Sequence, residues 1–164
     1  MANHAVVRTD RMFGTDNRGG LISIKYLGAD GQTPTAIDNG NVLKVGSLVA
    51  GEREVFVGSA PASGDTVADI VLVASPEVMY DERLHNLDDF YNEAGKIARA
   101  YRLHSKDIFS VTADALSNAT NVAVDDRIAI AADTKLAVAA SGGIGRVIAI
   151  DVVGRYTYIV IEID

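Results

Sequence analysis

The chain has 164 residues, no cysteine, no tryptophan and a net charge of −7, which excludes disulfides, thiolate metal sites and Cys nucleophiles. At 48% hydrophobic and 23% charged residues, it has the composition of a globular protein with an aliphatic core. The charge is uneven: residues 1–95 hold seven Lys/Arg against fourteen Asp/Glu, and residues 96–164 hold eight of each, so no basic stripe marks a nucleic-acid surface.

In chain order, His4 to Thr9 is a short apolar strand candidate, followed by a polar, Gly-rich stretch to Gly20. Residues 1–20 thus read either as an extended N-terminal arm that grips a partner or as an ordinary first strand and loop. The first residues lack the apolar run of a signal peptide, and no segment approaches ~20 apolar residues. The chain is therefore expected to be neither exported nor membrane-spanning.

Leu21 to Tyr26 alternates as a strand should, and Gly28 to Gly31 is a turn. Asp38-Asn-Gly-Asn41 is a strong Asn-Gly turn signal between Ile37 and the Val42 to Val45 strand. Glu52 to Val57 is a strand, Gly58 to Asp65 a loop, and Asp69 to Ser75 a continuous apolar run of the kind buried on both faces. Pro76 to Ala94 is acidic and least β-like. Leu84, Leu87, Phe90 and Tyr91 stand at helical spacing there, and Asn86 is placed to cap a short helix from Leu87; a wrapping loop is the competing reading.

From Gly95 onward, short strands follow at Lys96 to Leu103, Ile108 to Thr112, Ala123 to Ile130 and Thr134 to Ala139. The last strands, Ile144 to Ile150 and Tyr156 to Ile163, form a closing hairpin. Along the final strand, Tyr156, Tyr158 and Glu162 share the side expected to lie away from the core. The expected fold is mainly β: a small β-barrel or sandwich with an extended N-terminal arm and at most one short helix. The expected divisions are an arm over 1–20, a β-rich lobe with an acidic insert over 21–94, and a small barrel over 95–164.

No constellation of residues points to catalysis. Ala139 to Gly145 resembles a phosphate-binding glycine loop, but a β-branched strand, not a helix N-terminus, follows it, so a turn is the better reading. His4, His85 and His104 lie in no metal-ligand spacing, and no serine sits in an elbow motif. Paired carboxylates occur at Glu52/Glu54, Asp88/Asp89 and Asp125/Asp126. Acid–base work would need one member in an apolar pocket, whereas each pair lies in a polar, turn-like context. No catalytic, cofactor or metal residue is therefore assigned.

Several stretches together resemble small head proteins of tailed bacteriophages. They are Ala36 to Val42 (AIDNGNV), Gly51 to Phe56 (GEREVF), Ser75 to Arg83 (SPEVMYDER), Ile108 to Leu116 (IFSVTADAL) and Val153 to Glu162 (VGRYTYIVIE). The part from about Gly95, with Gly145-Arg-Val147 and the final strand, is similar in pattern to capsid decoration (cement) proteins. The resemblance implies a non-enzymatic virion protein without cofactor. Such a protein binds the outer surface of the major capsid protein as a homo-oligomer, with a trimer favoured, and is assembled in the host cytoplasm. It touches neither nucleic acid nor membrane. On that reading the arm residues Val6, Val7, Arg8, Arg11, Met12 and Phe13 are the candidate partner contacts. A head-completion or tail component, or a small ligand-binding or hydrolytic barrel, are the alternatives.

Overall fold

The computed structural model describes residues 4–12 and 19–164. It is mainly β, with 40% strand and 8% helical residues, the latter all in short 3-10 turns. Five strands close into a first barrel: β1 (Leu21–Tyr26), β2 (Val42–Leu48), β3 (Val55–Ser59), β4 (Ile70–Val73) and β5 (Ala98–Arg102), in the order β1-β3-β2-β4-β5. The β1–β3 pair is parallel and every other pair antiparallel. Ile24, Leu43, Val71, Val73, Ala98 and Ala100 fill the interior. Gly58 in β3 makes this packing possible, since a Cβ there would lie 2.8 Å from Leu43 Cδ1 and 3.0 Å from the Ile24 side chain.

The second, curled sheet takes β6 (Ile108–Thr112), β7 (Leu116–Ser117), β8 (Arg127–Ile130), β9 (Leu136–Ala139), β10 (Gly145–Val153) and β11 (Tyr156–Ile163). Their order is β6-β11-β10-β8-β9-β7. The closing hairpin is β10–β11, turning at Gly154-Arg155, with a bulge between Val147 and Ala149.

The apolar run in β4 is explained by what lies on either side of it. Val71 and Val73 point into the first barrel. Ile70 and Leu72 point the other way, into a core shared with Phe109, Val111, Ile128, Leu136, Val147 and Ile161 of the second sheet. A strand buried on both faces loses the alternation that would mark a half-exposed one. Each such side chain contributes roughly 1.5–3 kcal/mol by leaving water.

Four expectations need correction. The division between the sheets falls between Arg102 and Ile108, not at Gly95, because β5 completes the first barrel. Residues 4–8 do not project as an arm. Thr112 N–H donates to Val6 O (2.9 Å) and Arg8 N–H to Ser110 O (2.9 Å), so the segment lies along the β6 edge with Val7 bridging Val111. Of the two readings of the acidic segment, the wrapping loop holds, with one 3-10 turn at Leu87–Asp89, and the helical reading falls. Its expected cap is present: Asp89 Oδ2 accepts from the Asn86 backbone N–H (3.0 Å) and Nδ2 (3.2 Å). Finally, Tyr158 is buried, covered by Arg8, whose guanidinium sits 5.5 Å from the ring centroid.

The glycine run before β10 is a matter of close backbone approach. A Cβ on Gly143 would lie 2.2 Å from Ile128 O, and one on Gly145 would lie 2.4 Å from Glu162 O. The run seats the start of β10 against β8 and β11.

Candidate functional site

The first barrel, its turns, the N-terminal segment and the β10–β11 hairpin hold the acidic insert at three places. Next to β4, Asn39 is buried; its Nδ2 donates to Ser75 O (2.8 Å), and its Oδ1 accepts from Ser75 N–H (2.9 Å). At the far end, buried Asn92 exchanges two backbone hydrogen bonds with Ile37 (2.9 and 2.8 Å), and its Nδ2 donates to Asn39 Oδ1 (3.1 Å). In the middle, the Asp88 carbonyl accepts from His4 N–H (3.0 Å). The Asp88 carboxylate accepts from Tyr156 Oη (2.7 Å) and is paired with Arg155. His4 itself meets Asp38 Oδ1 through Nδ1 (2.7 Å) and stacks on Tyr91, with ring centroids 4.7 Å apart.

Between these anchors the insert displays apolar side chains. Tyr80 is 95% exposed, Val78 58% and Ile97 56%; Leu84 and Tyr91 are also exposed. They edge an open groove of about 810 Å³ with Met79 and Phe90 in its wall and Asp81, Glu93, Lys96 and Arg99 on its rim. Apolar side chains gathered into one exposed patch, rimmed by polar residues, mark a candidate interaction surface. The groove is broad and its rim charges are solvated; Asp81 is already paired with Arg83 (2.6 Å).

The carboxylate pairs do not make an acid–base site. Glu52 and Glu54 are exposed. Burial pushes the Asp88 carboxyl up, but the Tyr156 hydroxyl and Arg155 outweigh it and hold the group below its ordinary value, the wrong direction for a general acid. Asp89 serves the capped turn, and Asp126 accepts from Ala123 N–H (2.8 Å). Among the described residues, no group of three or more His, Asp or Glu is placed to hold a metal ion.

The arm residues singled out from sequence fall in different places. Val6 and Val7 are 2% exposed, so they offer no surface to a partner. Arg8 is paired with Asp10 (2.6 Å) and lies over Tyr158. Met12 packs against the shared core, and Arg11 is exposed. Phe13 lies outside the described residues. Helical spacing singles out Leu84, Leu87, Phe90 and Tyr91 and passes over Val78, Met79 and Tyr80, so the display surface is not legible from it. The available signal is the aperiodic apolar cluster Val78-Met-Tyr80, which follows Pro76-Glu77.

Neither a known protein family, nor a curated protein, nor a solved structure matches the chain.

Proposed function

We propose that this chain is a non-enzymatic structural protein of a tailed-phage virion. It binds the outer surface of the capsid and stabilises it by bridging major capsid protein subunits. The observation that carries the reading is the apolar display of the insert, anchored at both ends on a packed β body. Val78, Tyr80 and Ile97 are held out by a loop whose ends are fixed at Ser75 and Asn92. A fixed scaffold lowers the ordering cost of binding, and exposed aromatic side chains are the kind that dominate protein interfaces. The acidic balance suits an outer surface away from packaged DNA. Modest affinity per copy suffices where many copies share one lattice.

The resemblance of the five stretches named above to phage head proteins supplies the identity of the partner. The insert, rather than the N-terminal segment, supplies the contact. Purified protein is expected to co-sediment with isolated capsids, and Tyr80→Ala to weaken that binding by roughly tenfold or more. Failure of the unaltered chain to sediment with capsids refutes the reading. Unchanged binding by Y80A refutes the assignment of the surface.

A further inference from the structure

β10 is paired on both sides only at its start. Gly145 and Arg146 pair with β8, and the Val147 backbone exchanges hydrogen bonds with Asp125 and Asp126. Beyond Val147, the strand pairs with β11 alone. The open stretch is bounded at one end by the Asp125-Asp126 backbone and at the other by the Gly154-Arg155 turn.

The direction of its free backbone groups follows from the neighbouring strand. Ile163 N–H donates to Asp107 O (3.0 Å), and Ile163 O accepts from Lys106 N–H (2.9 Å), so Ile163 faces the β6 side. Alternation then turns Val160, Tyr158 and Tyr156 toward β10, where they lie opposite Ala149, Asp151 and Val153. Ile150 and Val152, between those residues, direct N–H and C=O outward. Their side chains are also exposed, at 39% and 73%. An open edge with β-branched apolar side chains is a template for another strand.

We infer that this edge receives an extended strand of a second protein, with a Lys or Arg opposite Asp151 flanked by apolar residues opposite Ile150 and Val152. Charge decides the occupant. Asp151 is exposed and forms no ion pair among the described residues; Arg8, which feels its charge, is itself paired with Asp10 (2.6 Å). Exposed Asp125 at the mouth of the same edge is paired with Arg146 (3.7 Å), so Asp151 is the carboxylate that sets the charge of the open stretch. A second copy of this chain, docked antiparallel so that Ile150 and Val152 exchange all their outward hydrogen bonds, would set Asp151 directly against its own counterpart. Like charges so placed repel. Centring a pair on Ile150 instead would bring Val152 against Ile148, where the bulge interrupts the regular backbone. A foreign strand with a central cation meets neither obstacle. This edge is separate from the insert groove, and the inference does not rest on the capsid reading.

The test uses the full chain and two synthetic strand peptides, Thr-Val-Ile-Lys-Val-Thr and the same peptide with Glu for Lys, followed by amide hydrogen exchange. The Lys peptide is expected to protect the Ile150 and Val152 amides and to bind roughly two- to fivefold more tightly than the Glu peptide. Asp151→Lys should reverse that preference. Ile150→Pro removes an outward N–H without touching a β10–β11 hydrogen bond, so it should abolish protection at Val152 while the β11 amides stay protected. If I150P fails to fold, the charge reversal in D151K still decides. The inference is overturned by an absence of protection at millimolar peptide, by equal protection from both peptides, or by self-association of the chain alone that protects these two amides. None of these measurements involves capsids, so failure here leaves the proposed function standing, and the reverse also holds.

Discussion

Residues 4–8 and residues 76–97 are both short of regular structure, and both border the β10–β11 hairpin, yet the fold treats them oppositely. The first puts Ala5, Val6 and Val7 into the interior and extends the β6 edge. The second is fixed at Ser75, Asp88 and Asn92 and turns Val78 and Tyr80 outward. The difference lies in hydrogen bonding. The N-terminal segment finds an unpaired strand edge and satisfies its backbone there, so Ala5 and Val7 follow the alternation of the sheet into the core while Val6 is covered on the other face. The insert has no edge to join. Buried asparagines and one capped turn hold it instead, fixing its ends and leaving its middle on display. A segment that looks like an arm in sequence is thus scaffold, and a segment that looks like surface filler is the better candidate for contact.

That comparison can be broken most severely at Val7. Val7→Asp buries an unpaired charge and is expected to cost about 3 kcal/mol or more, measured by urea denaturation; a loss below about 1 kcal/mol would mean the segment is detachable after all. Asn92→Ala strips the side-chain half of the far anchor and leaves Asn39 Oδ1 with one donor fewer. A loss of about 2 kcal/mol is expected, with faster exchange at the Ile37 amide. Unchanged exchange there would show the insert to be held by its other contacts.

Acid should loosen the middle anchor. The Asp88 carboxyl is held below the ordinary 3.8. A depressed carboxylate adds stability above its unfolded value and loses it as pH falls through the folded one. Lowering the pH from neutral to below 3.8 should therefore weaken the Tyr156–Asp88–Arg155 contact, and Asp88→Asn should flatten that part of the profile. Following the Tyr156 ring by NMR through the titration checks this. The smallest expected effect is at Tyr80: Y80A should change stability by less than about 0.5 kcal/mol while lowering capsid affinity. A large stability loss would mean that Tyr80 packs on the body instead of facing solvent.

Much of the secondary structure was legible. Alternation marks β1, β6 and β11, the two-sided apolar run marks β4, and Asn86 marks the capped turn. What period two cannot report is which strand lies beside which. The parallel β1–β3 pair and the return of β5 to β1 join residues far apart in sequence, so the closed first barrel and its true boundary were invisible. The same blindness misplaced Val6, Val7 and Tyr158. An apolar strand says that one face is buried, but not that a neighbouring segment will also cover the other face. The display surface was hidden for another reason. Val78, Met79 and Tyr80 have no period at all, and an aperiodic apolar cluster reads equally as core or surface until its anchors are known.

The Asp38 to Val42 turn has a consequence for how the molecule comes apart. Gly40, at φ +82°, donates to Val73 O in the first barrel (2.8 Å), while a Cβ on it would touch Ala115 beside the second sheet at 3.0 Å. Val42 N–H donates across to Thr134 O (2.7 Å), and Asn41 Nδ2 donates to the Thr134 hydroxyl (3.3 Å). Neither the barrel nor the second sheet can open without disturbing these few residues. Heating should therefore give one calorimetric transition for both halves, with equal van't Hoff and calorimetric enthalpies. The Gly40 and Val42 amides should exchange only through global unfolding.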